Sequence, residues 1–269
     1  MDPTIPNLAD TLIFEIPDRT FARMSFEHDH IVPFLQSQET KKQQVTRMFN
    51  DIAFRYDFLN RFLSAGIDVY WRKMTIRQLI EDKPLQILDV ATGTGDLAIM
   101  AHKYLKSAEI TGIDISEGML ELGRKKIAKL LLNNKIQLIH GDSEAIKFPD
   151  ESFDAVSVAF GVWNFENLEK GLMEMKRVLR GGGRVVILEF SKPKPRLLKP
   201  LFNLYMKIVA PGIASWLSTN KEAYQYLCNS VKTFPEGEKF LHILEKVGFK
   251  QTSLKRLSLG ICTIYCGRK

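Results

Sequence analysis

Apolar residues recur along this chain at two spacings, and the spacing alternates. Val45, Met48, Phe49, Ile52, Ala53, Tyr56, Leu59 and Leu63 keep a helical period, and Gly66 breaks it before a second run over 71–79. The pattern predicts helix, break, helix over 41–79. From Gln86 the character changes. Ile87-Leu88-Asp89-Val90-Ala91 is apolar and partly β-branched, and it runs into Thr92-Gly93-Thr94-Gly95. Leu97, Ile99, Met100, Ala101, Tyr104 and Leu105 then return to helical spacing. That reads as strand, glycine turn, helix. Further strands are expected over 109–115, 135–140, 153–160 and 184–190. Ser116 is the expected N-cap of a helix reaching about Leu132. An amphipathic helix is expected over 166–179, stopped by Gly181-Gly182-Gly183. Apolar strands alternating with helices predict an α/β fold, a parallel sheet covered on both faces.

After the fifth strand the order changes. Helices are expected from about 197, 221 and 235, the last with Phe240, Leu241, Leu244 and Val247 on one face and Gly248 past its end. Strand-like runs over 249–257 and 260–266 flank Ser258-Leu259-Gly260, short enough for a hairpin. Residues 1–38 show no period and contain several prolines, so they are expected to form a mobile arm. Residues 39–269 are expected to form one domain. Within it, 39–80 would be a helical lid over the glycine turn and 191–235 a helical insertion.

Composition narrows the class. At 269 residues and 45% apolar, the chain can build one large core, and no stretch of 18 apolar residues is present. The start is acidic and proline-containing rather than signal-like, and Cys228, Cys262 and Cys266 make no disulfide framework. A reducing, cytosolic compartment is the expectation. Cys262 and Cys266 share a strand face and read as buried small hydrophobes, and His28-Asp29-His30 has no further ligand cluster, so no metal is expected. The net charge is +7, and 191–221 holds six basic residues, no acidic one, and many aliphatic and aromatic ones. That combination suits an anionic membrane surface. The aromatics are not interleaved with arginines along one face, which argues against nucleic acid.

Chemistry is expected at the C-terminal ends of the strands. There the sequence places Asp89 with the turn Gly93-Thr94-Gly95, then Asp114, Asp142-Ser143, and Phe160 to Asn164. The turn also fits a dinucleotide fingerprint, with Asp114 about 20 positions on. No basic residue lies in the turn, however, so a pyrophosphate would be poorly served. A cationic ligand with ribose hydroxyls and an adenine would be well served. Asp114 can accept from both hydroxyls, Asp142 and Ser143 can bond the adenine edge, and the turn with Thr94 can take an amino-acid carboxylate. That describes S-adenosylmethionine. Tyr56 and Trp71, in the aromatic-dense lid, are candidates to face a ligand.

The turn, Asp114, Gly141-Asp142 and Leu179-Arg180-Gly181-Gly182-Gly183 resemble the motifs of class I (Rossmann-like) methyltransferases. Tyr56-Asp57-Phe58-Leu59-Asn60 with Ser64, Gly66-Ile67 and Trp71 narrows the resemblance. So do Leu188-Glu189-Phe190-Ser191-Lys192-Pro193 and the run from Tyr224 and Tyr226 to Phe234-Pro235. These are similar to the quinone-biosynthesis C-methyltransferases, over about 40–269. The resemblance implies a seven-stranded sheet with a terminal antiparallel hairpin and a polyprenylated quinol substrate met at the inner membrane face. It places cofactor contacts on Thr94, Asp114, Asp142 and Ser143. Two positions depart from the family pattern. Ala159 stands where a hydroxyl residue is usual, and Gly161-Val162-Trp163-Asn164 stands where Gly-x-Arg-Asn is usual. Tryptophan cannot supply the arginine's charge, but it can stack on a ring.

The implied reaction is methyl transfer to a ring carbon of demethylmenaquinol, with Asn164 holding the quinol oxygen. Tyr56, Trp71, Trp163, Tyr224 and Tyr226 are candidates to line the acceptor's pocket. A polyprenyl methoxy-benzoquinol of ubiquinone biosynthesis is the alternative acceptor. A non-catalytic carrier of quinol or cofactor is a further alternative, raised by Trp163. RNA methylation and an NAD-dependent reaction also stand as readings that binding measurements would separate.

Overall fold

The apolar runs assemble into one seven-stranded sheet. The structure is a computed structural model that describes residues 26–192, 226, 229–230 and 232–269. The strands are β1 (Gln86–Val90), β2 (Glu109–Asp114), β3 (Ile136–His140), β4 (Phe153–Ala159), β5 (Leu179–Phe190), β6 (Lys250–Leu257) and β7 (Cys262–Arg268). Their order is β3-β2-β1-β4-β5-β7-β6. The first five are parallel, and β7 runs antiparallel between β5 and β6. The terminal hairpin expected from the sequence is therefore present, turned by Ser258–Gly260.

The period-2 rule shows directly in which core each side chain joins. Leu88 and Val90 of β1, with Val185 and Ile187 of β5, face one core. Ile87, Val186 and Leu188 face the other. The first core is covered by Val45 and Met48 of α1 (Lys41–Leu63), Leu168, Leu172 and Met175 of α5 (Leu168–Val178), and Phe240 and Leu244 of α6 (Glu238–Val247). The second is covered by Ile76 of α2 (Ile67–Arg77), Leu97 and Ala101 of α3 (Asp96–Tyr104), and Leu120 and Ile127 of α4 (Glu117–Lys129). Thr40 and Gln43 cap α1 reciprocally, and the Ser116 hydroxyl accepts from Met119 N at the start of α4.

Several boundaries differ from the sequence reading. α2 starts at Ile67, not at 71, because Gly66 (φ 78°) turns the chain straight into the new helix. The glycine run 181–183 lies inside β5 rather than before it. Leu179 is already extended and pairs with Phe153, and the register then jumps so that Ala155 meets Arg184. The added residues form an irregularity, and a Cβ on Gly183 would lie 2.9 Å from two carbonyl oxygens. α6 begins at Glu238, after Gly237 at φ 66°, rather than at Pro235. The arm expected over 1–38 is packed where it is described. His28 is fully buried, Phe34 joins the core, and buried Lys41 donates to the His28 carbonyl at 2.8 Å. Cys262 and Cys266 are buried, as expected. The expected helix from 197, the helix from 221 over most of its length, the basic–apolar run 193–221, Tyr224 and Cys228 lie outside the described residues.

Gly123 in α4 tests the packing between this helix and the glycine turn. Alanine usually stabilises a helix interior over glycine by about 1 kcal/mol. Here a Cβ would sit 2.5 Å from Leu138 Cδ1 and 3.0 Å from the Thr94 carbonyl. Gly123→Ala is therefore expected to destabilise, by about 1–3 kcal/mol, in urea unfolding. A gain in stability would show that the helix can move away from the turn.

Candidate active site

Because β1 to β5 are parallel, their C-terminal ends meet along one edge. The order reverses between β1 and β4, which opens a cleft there. The cleft encloses about 690 Å³ of free space, counting solvent at its mouth. Following the strand order, its floor carries Asp142 and Ser143 after β3, Asp114 at the end of β2, Ala91 and Gly93 after β1, and Ala159, Phe160, Gly161 and Asn164 at and after the end of β4. α1 closes one side with Lys42, Val45, Phe49 and Tyr56. Among the described residues, the acidic lining ones are Asp114, Asp142, Glu144 and Glu166, and the single basic one is Lys42. Lys42 Nζ is bonded to Asp142 at 2.7 Å and Glu144 at 3.2 Å. The balance disfavours a polyphosphate and suits a cation.

Each loop at the cleft is pinned by an acidic side chain whose oxygen accepts from backbone N–H groups. Asp114 takes Gly93 N and Ser116 N, both at 2.8 Å. Asp142 takes Glu144 N at 2.9 Å, and Glu144 takes Glu166 N and Asn167 N at 2.8 and 3.1 Å. Glu189, at the end of β5, takes Val162 N at 2.8 Å. Burial pushes the Asp114 carboxyl up, against the opposing pull of its N–H donors. Gly93 is left-handed at φ +56°, a conformation that suits glycine, and a Cβ there would face the Tyr56 ring at 3.9 Å.

Of the residues expected from sequence, Gly93, Asp114, Asp142, Ser143, Asn164 and Tyr56 line the cleft together. The others lie behind it. Asp89 is buried and bonded to Thr92 at 2.6 Å and Ser157 at 2.7 Å, and burial lifts its pKa to about 6. Gly95 caps α3 at φ 80° and faces Leu138. Thr94 is buried. Its hydroxyl donates to Asp57 at 2.5 Å and accepts from Lys126 at 3.1 Å, so it ties α1 and α4 to the turn. Trp71 does not face a ligand. It packs between Phe160 and Phe190, and its indole donates to Ser258 at 2.8 Å, because the second core offers it apolar partners just past β4 and at the end of β5. Trp163 is likewise turned into the first core, its ring 5.7 Å from that of Tyr226. It does not stack across the cleft.

Tyr226 is 2% exposed and acts on a neighbour instead of lining the cleft. Burial keeps its phenol protonated, and it donates to Asn164 Oδ1 at 3.1 Å. With Oδ1 engaged, the Asn164 amide keeps its N–H₂ as the group free to donate into the cleft. Sequence reading missed Lys42, Glu144 and Glu189. Glu189 carried a signal, as the one acid in the apolar run from Val185 to Phe190.

A family model described as the ubiE/COQ5 methyltransferase family matches residues 37–269. A demethylmenaquinone methyltransferase of Bacteroides fragilis is 45% identical over 246 residues, covering 91% of this chain and all of the relative. A ubiquinone/menaquinone biosynthesis C-methyltransferase UbiE of Geobacter sulfurreducens is 45% identical over 85% of this chain and 90% of its own. Among solved structures, the [4+2]-cyclase SpnF aligns with TM-score 0.63 at 15% identity, covering 85% of this chain and 96% of its own. A SAM-dependent methyltransferase of Thermotoga maritima, a possible histamine N-methyltransferase, aligns at 0.58 with 18% identity, covering 83% and 99%. These likenesses establish the α/β, Rossmann-like fold. A cyclase among them shows that the fold alone does not choose the reaction.

Burial lifts the Glu189 pKa from 4.5 to about 8. Below 4.5 the group is protonated whether the chain is folded or not, and it contributes no pH dependence. Between 4.5 and 8 the unfolded chain loses the proton and the folded chain keeps it, so stability falls as pH rises. Glu189→Gln removes that dependence. The melting temperature of the variant, minus that of the parent, is expected to climb steadily from pH 5 to pH 8. A difference independent of pH would contradict the buried neutral acid.

Proposed function

This chain belongs to the ubiE/COQ5 methyltransferase family, and we propose that it methylates a ring carbon of demethylmenaquinol in menaquinone biosynthesis. S-adenosylmethionine supplies the methyl group on a positively charged sulfonium. The observation that carries this reading is the order of groups along the cleft. Acids stand after β3 and β2, the glycine turn after β1, and Asn164 with Phe160 and Phe165 after β4.

In this reading Asp142 and Ser143 bind the adenine edge and Asp114 the ribose hydroxyls. The glycine turn, its Gly93 N–H already held by Asp114, lies against the amino-acid end. Thr94, Gly95 and Asp89 hold that turn in shape from behind. The quinol ring lies against Phe49, Tyr56, Phe160 and Phe165, which exclude water. The phenolic O–H gives its proton to solvent and the oxyanion pushes electron density to the neighbouring ring carbon. That carbon would take the methyl as the carbon–sulfur bond breaks and the neutral thioether leaves, and the ring would then give its C–H proton to solvent and recover aromaticity. Asn164 donates to the oxygen on which charge develops. Tyr226 keeps the amide turned the right way. Alignment of carbon, methyl and sulfur supplies most of the rate. Residues 39–80 act as a lid, and 39–269 as one catalytic domain.

The test is turnover with labelled S-adenosylmethionine, offering reduced demethylmenaquinol beside a demethylated methoxy-benzoquinol. Label is expected in the naphthoquinol. Label only in the benzoquinol, or in neither while S-adenosylmethionine still binds, would overturn the reading. In the same assay Asn164→Ala is expected to lower kcat by about 100-fold, with S-adenosylmethionine affinity unchanged. An unchanged kcat would remove Asn164 from the chemistry. Arginine at position 163 is not a simple gain of function, since Trp163 is 3% exposed in an apolar core. Trp163→Arg is expected to lower the melting temperature, because it buries a charge.

A further inference from the structure

One face of α1 is apolar where a surface helix is normally polar. Among the described residues thirteen large hydrophobic side chains are exposed, and six of them fall between Phe54 and Tyr70. They are Phe54 (88% exposed), Phe58, Phe62 (65%), Ile67, Val69 and Tyr70, and they include every exposed aromatic among the described residues. Phe54, Phe58 and Phe62 recur at i, i+4 and i+8, which puts them on one stripe, and the rings of Phe58 and Phe62 stack at 5.9 Å. Phe49 and Tyr56, on the opposite side of the same helix, line the cleft. So large and clustered an apolar surface marks an interaction site.

The charges around it are one-sided. Between residues 54 and 77 there are five basic residues and two acidic ones. The acids are paired, Asp57 with Lys126 at 2.6 Å and Asp68 with Arg61 at 2.9 Å and with buried Arg72, which leaves the stretch with three more basic than acidic residues. Aromatic rings within a basic surround fit a surface of apolar depth and anionic headgroups. A second copy of this chain fits less well, since a two-fold contact would set the two basic surrounds against each other. No described helix is long and apolar enough to cross a membrane, and a helix with one apolar aromatic stripe suits the plane of the interface.

We propose that the Phe54–Phe58–Phe62 stripe docks the enzyme on an anionic lipid bilayer, with α1 as the wall between lipid and cleft. The proposal rests on the reading that the acceptor is a polyprenylated quinol. Its tail could then stay in the bilayer while its ring crosses about one helix diameter, roughly 10 Å, into the cleft.

The test is co-sedimentation of the full chain with vesicles of equal phosphatidylglycerol and phosphatidylcholine, and with phosphatidylcholine alone. The parent is expected to bind the anionic vesicles more tightly, and added salt to weaken it. Phe54→Ser with Phe62→Ser is expected to reduce that partitioning on the order of 100-fold, with unaltered circular dichroism. Turnover of a water-soluble quinol lacking the prenyl tail is expected to be unchanged in the variant. Equal sedimentation of parent and variant overturns the proposal. So does a concentration-dependent dimer in the parent that the variant abolishes, which would make a second copy the occupant. Loss of vesicle binding by the variant supports docking even where no quinol is turned over, and that separate result would count against the acceptor alone.

Discussion

The cleft depends on acidic side chains taken out of water. In a parallel sheet every strand ends on the same edge, and each following loop carries N–H groups beyond the reach of the neighbouring strands. Backbone carbonyls take some of them, and this chain answers the others with acids. Asp114 holds the glycine turn and the start of α4, Glu144 holds the approach to α5, and Glu189 holds the turn that carries Asn164. A buried acid is expensive unless it is bonded, so the loops and the acids constrain each other. The fold and the charge of the site come from one arrangement, and the cleft is acidic because its walls need acceptors.

A second consequence concerns α1. The helix would be a simple cover if it only packed on the sheet. Instead Lys42 reaches Asp142 and Glu144, and Asp57 reaches the Thr94 hydroxyl and Lys126. Polar bonds therefore tie it to both sides of the glycine turn, while Val45 and Met48 tie it to the core. Its opposite side keeps the Phe54 and Phe62 rings exposed. One element thus couples the turn, the cleft wall and the outer surface.

Much of this was legible in the sequence. Strand, turn and helix signals are local, so β1, the Gly93 turn, Asp114, Asp142 and the closing hairpin could be read from spacing. Asn164 could be read from its place after β4. Direction into core or cleft could not be read, because it is decided by partners far along the chain. Trp71 bonds Ser258, Tyr226 bonds Asn164, and Lys42 bonds Asp142, and none of these pairs is close in sequence. Aromatic density near a lid suggested ligand contact for Trp71, Trp163 and Tyr226. Apolar cores compete for the same residues, and here the cores hold all three. Position 163 shows the point most plainly. Trp163, expected to stack on a ring, belongs to the packing behind Asn164 rather than to the cleft.

The most direct measurement is a crystal structure with S-adenosylhomocysteine and a truncated naphthoquinol bound together. The account predicts the adenosine across Asp114 and Asp142, with Lys42 drawn away from Asp142. It also predicts a quinol oxygen within hydrogen-bonding distance of the Asn164 amide nitrogen and the ring against Phe160. A quinol ring bound outside this cleft, or an Asn164 amide turned from its oxygen while Tyr226 stays in place, would contradict it.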